Sequence, residues 1–355
     1  MTYAAPQTTA WRKSKPYVQH DVAAWLEPVE TLMYKLAGGD HRDEIGDIVC
    51  WHLDGGGKQL RARLALGAAR ALGGQYAEAV PWAAACELLH NASLVHDDVQ
   101  DQDLTRRGRP AVWAQYGVAQ AINAGDLMLM LPYQALDHLD RPGGVKWELA
   151  STLAFYAAEV VRGQAAELHM ASACAIDAAC WTRAARGKTS ALFALPVHGA
   201  ALLMGCEAEH AQWLAHPFRQ LGLLFQLQDD VLDAYGDKGR PPGSDLHEGR
   251  VSALVVEHCA LHPHDRQALA NLLQRGRDET SEVEVQQWLA RFAEKGALHA
   301  VWERIHQLQR RINNATELRA VPALARVAQE LTKRALAPIE PTRALLQDSK
   351  SGVAL

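Results

Sequence analysis

The chain lacks most of the features that narrow a function quickly. Its six cysteines, Cys50, Cys86, Cys174, Cys180, Cys206 and Cys259, form no CxxC pair and no disulfide-framework spacing. That suits a reducing compartment and leaves buried packing as their default role. No apolar run reaches the ~20 residues that span a bilayer, because the most apolar stretch, 191–206, is interrupted by Pro196, His198 and Gly199. The opening segment MTYAAPQTTAWRKSKP has no apolar core of the secretory kind, so the mature chain is expected to begin here and to be cytoplasmic. Charge is nearly balanced, 36 basic against 41 acidic side chains for a net −5, which favours neither nucleic acid nor an anionic membrane as a partner. Any site for a polyanion must be local. Strand-like alternation is nearly absent, and neither a Ser-His-Asp arrangement nor HExxH is found.

What is present is helix. The 355 residues are 48% hydrophobic, rich in alanine and leucine, with apolar positions recurring every three or four residues. Breaks fall at Gly38 to Asp40, Asp54 to Gly57, Gly73-Gly74, Arg107 to Pro110, Arg141 to Gly144 and Gly236 to Gly249, where turn residues cluster. They separate helices of roughly 15 to 30 residues, long by globular standards. No solenoid repeat or internal linker is visible. One domain over 19–338 is expected, with poorly ordered ends at 1–18 and 339–355.

Two carboxylate clusters carry the chemistry. In LLHNASLVHDDVQDQD, Asp97, Asp98 and Asp101 form DDxxD on the last turns of an apolar helix; FQLQDDVLD repeats the spacing with Asp229, Asp230 and Asp233. At about 100° per residue, the first and last acids of each motif stand only about 40° apart, one turn above the other. Such carboxylates repel unless a cation joins them, and hard oxygen donors suit Mg²⁺, which keeps several waters and takes phosphate oxygens readily. One DDxxD alone reads equally well as a solvated helix end. Acids near a helix C-terminus oppose its dipole, however, so two such clusters point to function.

Cations that a diphosphate needs lie close by in sequence. Asp54-Gly-Gly-Gly-Lys58-Gln-Leu-Arg61 sets a lysine and an arginine past a glycine-rich turn, and Thr105-Arg106-Arg107-Gly108 follows the first acid cluster. The bland alternatives are a flexible loop and a simple ion-pair network. His90 stands two turns before Asp97 on the same face; a lone histidine there is more often a core residue than a ligand. Gly187-Lys188-Thr189 and Gln226 place polar groups inside apolar helical runs, where they need partners if buried.

The ordered set GGGKQLR, LLHNASLVHDDVQD, RRGRP, AGD ending at Asp126, GQ at Gly163, GKT at Gly187, FQLQDDVLD and GSDLHEGR resembles the trans-prenyl diphosphate synthases, the farnesyl, geranylgeranyl and polyprenyl diphosphate synthase family. The resemblance runs from Gly55 to about Ser252. It implies an all-α, single-domain barrel of long helices around a central cavity, assembled as a homodimer, and an isoprenoid chain elongation that condenses an allylic diphosphate with isopentenyl diphosphate. By position it implies Asp97, Asp101 and Asp229 as principal ligands of Mg²⁺, with Asp98, Asp230 and Asp233 supporting, three ions per site and Mn²⁺ as a substitute. Lys58, Arg61, His90 and Arg107 would hold isopentenyl diphosphate; Arg106, Lys188, Arg240 and Arg250 the allylic diphosphate; Lys188, Thr189 and Gln226 would face the carbocation.

The sequence departs from the family pattern at Gln59 and Ala62, where arginine and proline are usual, at Arg240 and Arg250 in place of lysines, and at Ser252 in place of threonine. The loop between Asp233 and Gly243 is a few residues short. In this family the product grows beneath the first acid cluster, so Cys86, Leu89, Ala92, Ser93 and Met128, with Met130, are the chain-length candidates. No aromatic blocks Ala92 or Ser93, which points to geranylgeranyl diphosphate, with farnesyl and longer polyprenyl products as alternatives. A class I terpene cyclase and a non-catalytic partner subunit are the rival functions.

Overall fold

The computed structural model describes residues 22–38, 43–172, 176–237, 241–275 and 279–348. The expected 1–18 extension, Arg240 and the last residues of the 339–355 tail lie outside them. The described chain is helical almost throughout. Its strands are confined to one hairpin, which pairs Thr105 with Pro110 and Arg106 with Arg109. No described helix is long and apolar enough to cross a membrane. The described Cys86, Cys180, Cys206 and Cys259 form no disulfide.

The chain divides into two compact units, the first comprising Met1–Ala158, Leu192–His216 and Thr316–Val327. Its centre is the 25-residue helix Tyr76–Gln100, which ends in the first aspartate motif. A capping box starts it: the Gln75 backbone N–H donates to Glu78 at 2.7 Å while the Gln75 side chain takes an N–H of the first turn. Alanines at 79, 83, 84, 85 and 92 are fully buried and let Leu60–Ala71 and Val118–Ala135 approach closely. Trp82 is also fully buried and donates its indole N–H to the Pro196 carbonyl at 2.9 Å. Its ring rests on Gly199, where a Cβ would stand 1.9 Å from Cζ2. Pro196 and Gly199, which interrupt the apolar run in sequence, do not interrupt the helix Ala191–Leu203.

The second unit comprises Glu159–Ala191, Pro217–Ala315 and Ala328–Leu355. Here the helices 159–172 and Ala178–Ala185 lead into a five-residue π-helical turn, Arg186–Ser190. The turn lies at GKT, where the sequence shows a polar break in an apolar run. Gly163 and Gly187 meet backbone to backbone: a Cβ on Gly163 would fall 2.2 Å from the Lys188 nitrogen. The stretch after Pro338 differs from its expectation. It continues in helical turns, Ala337–Ala344 and Leu345–Asp348, because Ile339 is fully buried and Thr342 accepts the Trp302 indole N–H at 3.2 Å.

Candidate active site

In the first unit the aspartate motif splits by exposure. Asp98 is 1% exposed, and its Oδ1 accepts from Arg106 Nε at 2.8 Å and again from Arg106 Nη2. Burial raises its pKa, and the Arg106 guanidinium opposes that rise. Asp97 and Asp101 are only half-buried at the helix end, where the Asp101 N–H closes on the Asp97 carbonyl at 2.8 Å. His96, between the pair's turn and the next helix, sits 3.3 Å from Asp126. Gly125 makes that possible, since a Cβ there would be 2.2 Å from His96 Nε2. This accounts for the glycine of AGD.

The two arginines after the motif diverge. Arg106 stays with Asp98 and lies 3.7 Å from Asp103. Arg107 and Gly108 take positive φ, 54° and 76°, as the two central residues of a tight hairpin, and this turns the Arg107 side chain the other way. Its guanidinium lies on Gly57 so closely that a Cβ there would be 2.7 Å from Cζ. The glycine-rich turn and the RRG hairpin, 50 residues apart in sequence, therefore meet. The turn is braced from outside by the helix Leu26–Gly38: Tyr34 Oη donates to Asp54 at 2.8 Å, and Gln59, the residue that replaces the usual arginine, donates to Glu30.

Inside this junction the Arg61 guanidinium lies 5.1 Å over the Phe193 ring, with its pKa lowered to about 10 by burial. His90 is held well below the ordinary histidine value, first by burial and then by Arg61, Arg107, Arg106 and His52. Burial and Arg107 likewise lower His52 to about 4. Both imidazoles are therefore neutral at pH 7. His52 pairs with Asn91 Oδ1 at 3.2 Å, and Asn91 Nδ2 donates to the Glu87 carbonyl at 2.8 Å. The buried Nδ1 of His90 and Nε of Arg61 have no hydrogen-bond partner in the protein. Lys58 is exposed on the same turn. Sequence reasoning missed His52, Glu87 and Asn91; their signal was a polar residue on either side of His90 within an apolar run, and a histidine just ahead of the glycine turn.

Among the chain-length candidates, Cys86, Ala92 and Met128 are fully buried and Leu89 is nearly so. Ser93 turns its hydroxyl back to the His90 carbonyl at 2.7 Å. Met130 does not join them: it is 54% exposed, on the opposite face of its helix from Met128.

The second motif splits in the same way. Asp229 is exposed, while Asp230 and Asp233 are 4% and 3% exposed. Asp230 accepts from Gln226 Nε2 at 2.9 Å, Trp181 Nε1 at 3.2 Å and the Ala253 backbone N–H at 2.6 Å, so it ties three elements together. The Asp233 carboxylate accepts the Asp245 N–H at 3.0 Å, and its backbone carbonyl accepts the Gly243 N–H at 2.8 Å, which together hold the chain around Gly243. Thr189 donates to Gln226 Oε1 at 2.6 Å, which brings together the two polar interruptions noted in the sequence. Lys188 pairs with Glu167 at 2.6 Å, and Arg250 with Glu248 at 3.0 Å. Ser252, in the place of threonine, caps Ala253–Leu261 by accepting the Val255 N–H at 3.4 Å.

No group of three or more His, Cys, Asp or Glu converges as a cation cage among the described residues. The motif acids fit Mg²⁺, which is bound by one or two carboxylates together with waters and substrate phosphates rather than by a full protein cage. Asp97 and Asp101, half-buried, and Asp229, exposed, are the solvent-accessible acids of the two motifs.

Residues 43–291 match the family model described as polyprenyl synthetase. The chain belongs to this family. It is 32% identical over 284 residues, 79% of this chain and 87% of the other, to a short chain isoprenyl diphosphate synthase of Methanothermobacter thermautotrophicus. It is 40% identical over 242 residues to a (2E,6E)-farnesyl diphosphate synthase of Mycobacterium bovis, covering 67% of this chain and 64% of that one. Other relatives are named geranylgeranyl and geranylfarnesyl diphosphate synthases. Among solved structures, a polyprenyl synthase from Caulobacter crescentus complexed with calcium and isoprenyl diphosphate aligns with a TM-score of 0.79 at 25% identity, over 92% of this chain and 98% of that one. The fold is thus the all-α isoprenoid synthase type, as the resemblance implies, and membership in the polyprenyl synthetase family makes the chain a transferase of prenyl groups.

Proposed function

We propose that this polyprenyl synthetase condenses an allylic diphosphate (dimethylallyl, geranyl or farnesyl) with isopentenyl diphosphate, and that its principal product is geranylgeranyl diphosphate. The observation that carries the reading is the cationic cluster of the first unit, separate from the aspartate motif: Arg107 on Gly57, Arg61 over Phe193, and two buried nitrogens, His90 Nδ1 and Arg61 Nε, without protein partners. A diphosphate would satisfy those nitrogens. A class I terpene cyclase has no second diphosphate to bind and would leave the cluster idle.

In this reading Lys58, Arg61, His90 and Arg107 hold isopentenyl diphosphate, with His90 neutral and therefore donating a single N–H. Arg106, Lys188 and Arg250, with Arg240, hold the allylic diphosphate. Arg106 engages Asp98 through Nε and Nη2, which leaves Nη1 outside those bonds for a phosphate oxygen. Lys188 donates to Glu167 and has three N–H donors in all. Asp97, Asp101 and Asp229 hold the metal, with Asp98, Asp230 and Asp233 keeping the motifs in place. When bound, Mg²⁺, three ions with Mn²⁺ as a substitute, neutralises the diphosphate and makes it a better leaving group. The allylic C–O bond breaks with its electron pair going to diphosphate; the double bond of isopentenyl diphosphate attacks the allylic carbon; a proton lost to the released diphosphate restores a double bond. Thr189 and Gln226 turn their oxygens toward the transient positive charge, and the carbonyl of Lys188 adds to them.

Support for the twenty-carbon product is the small side chain at Ala92 and at Ser93, with about 16 Å of helix from Asp97 back to Cys86. A homodimer is supported by Val118, Ile122 and Met130, exposed apolar side chains on one helix. The test is incubation of the purified chain with Mg²⁺, an allylic diphosphate and labelled isopentenyl diphosphate, with the product sized by chromatography. Incorporation into a twenty-carbon diphosphate is expected. Hydrocarbon from geranylgeranyl diphosphate alone would establish the cyclase instead, and no turnover at all the silent partner.

A further inference from the structure

We propose that Glu87 is a positioning residue for the isopentenyl diphosphate pocket, setting the place of Arg61 by capping its helix from a neighbouring one. The proposal rests on the pocket assignment above and adds a residue that does not touch the substrate.

The helix Leu60–Ala71 begins without a cap of its own. Its N-cap residue, Gln59, stands in the left-handed region at φ 47° and contributes no side-chain hydrogen bond, having turned its amide to Glu30 instead. Open first-turn N–H groups are costly where water cannot reach them. Glu87 supplies what is missing. It projects from the middle of Tyr76–Gln100, is 3% exposed, and its Oε2 accepts the Ala62 N–H at 3.0 Å. The backbone of Arg61 is a further donor to the same carboxylate. A charged acceptor at a helix N-terminus also meets the positive end of the dipole.

Two consequences for the pocket follow. Arg61 is the second residue of that helix, so the cap fixes the Cα from which its guanidinium reaches over Phe193. Burial raises the pKa of Glu87, and the Ala62 N–H, Arg61 and Arg107 oppose that rise; the carboxylate in turn favours the charged form of both guanidiniums, which helps them stay close together without a substrate. Glu87 is three residues before His90 and four before Asn91, hence on the same helix face as the pocket. No ordinary packing demand puts a carboxylate at that point of an alanine-rich helix.

The test compares Glu87→Gln and Glu87→Ala with the parent enzyme in steady-state kinetics, varying each substrate in turn, alongside thermal melts. Glu87→Gln keeps an oxygen acceptor but loses the charge; Glu87→Ala loses both. The expected result is a KM for isopentenyl diphosphate raised roughly threefold to tenfold in Glu87→Gln and more than tenfold in Glu87→Ala, with the KM for the allylic diphosphate within twofold of the parent in both. A purely structural role lowers the melting temperature and the active fraction but moves neither KM selectively. If Glu87→Ala does not fold, the Glu87→Gln result decides alone. An unchanged or lowered isopentenyl KM in folded Glu87→Gln, or equal shifts for both substrates, overturns the proposal. Absence of isopentenyl turnover in the parent enzyme would instead overturn the function on which it rests.

Discussion

At the scale of single residues, the six motif aspartates fall into two kinds. Asp97 and Asp101 are half-buried and Asp229 is exposed, whereas Asp98, Asp230 and Asp233 are buried against protein donors. Substitution should therefore separate chemistry from stability. Asp97→Ala is expected to lower kcat by at least about 10²- to 10³-fold, as loss of one transition-state contact does, with the helical circular dichroism spectrum retained. Asp230→Ala strips the acceptor from Gln226, Trp181 and Ala253 together, and should cost roughly 2–4 kcal/mol in denaturant unfolding. The sequence shows both motifs clearly and cannot make this distinction. DDxxD spacing places the first and last acids on one face of a helix, but Trp181 and Ala253 lie 49 and 23 residues away from Asp230, and only the fold brings them to it. Glu87 was hidden for the same reason, since its partner is a backbone N–H with no signature.

At the scale of elements, helices and their breaks are legible because alanine and leucine recur with helical period and the glycine-rich turns punctuate them. Three things were not legible. The Arg107–Gly108 turn reads as a break, but that it aims Arg107 at Gly57 depends on positive φ at both positions. The stretch after Pro338 reads as a poorly ordered end, yet Ile339 is buried and Thr342 ties it to Trp302. The polar interruption at GKT is visible, whereas its π-helical geometry arises from the close crossing of Gly187 over Gly163. That crossing can be tested. Gly163→Ala forces a methyl into the Lys188 nitrogen, backbone that cannot swing aside as a side chain does, and should destabilise the protein by about 1–3 kcal/mol. It should also displace Lys188 and Thr189, so the KM for the allylic diphosphate is expected to rise more than that for isopentenyl diphosphate in the same assay.

For the whole molecule, the neutral histidines of the first unit make stability depend on pH. His52 has its pKa lowered from 6.5 to about 4 in the folded chain, so the unfolded chain binds the extra proton at any pH between those values. Stability is then lost as pH falls from about 6.5 and levels off for this group below about 4. By pH 5 the loss relative to pH 7 is about 2 kcal/mol from His52 alone, and His90 adds to it in the same direction. Urea midpoints at pH 7 and pH 5 measure the slope, and His52→Gln should flatten it. The π-helical turn at Arg186–Ser190 carries a consequence for how this chain tolerates changes in length. A π turn holds one residue more than an α turn, so removing a single residue there would let the backbone close into an unbroken α-helix, while rotating the side chains on one side of the cut by about 100° relative to the other. Single-codon deletions across 178–203 should thus include one that leaves a more regular helix and an enzyme in which Thr189 no longer reaches Gln226.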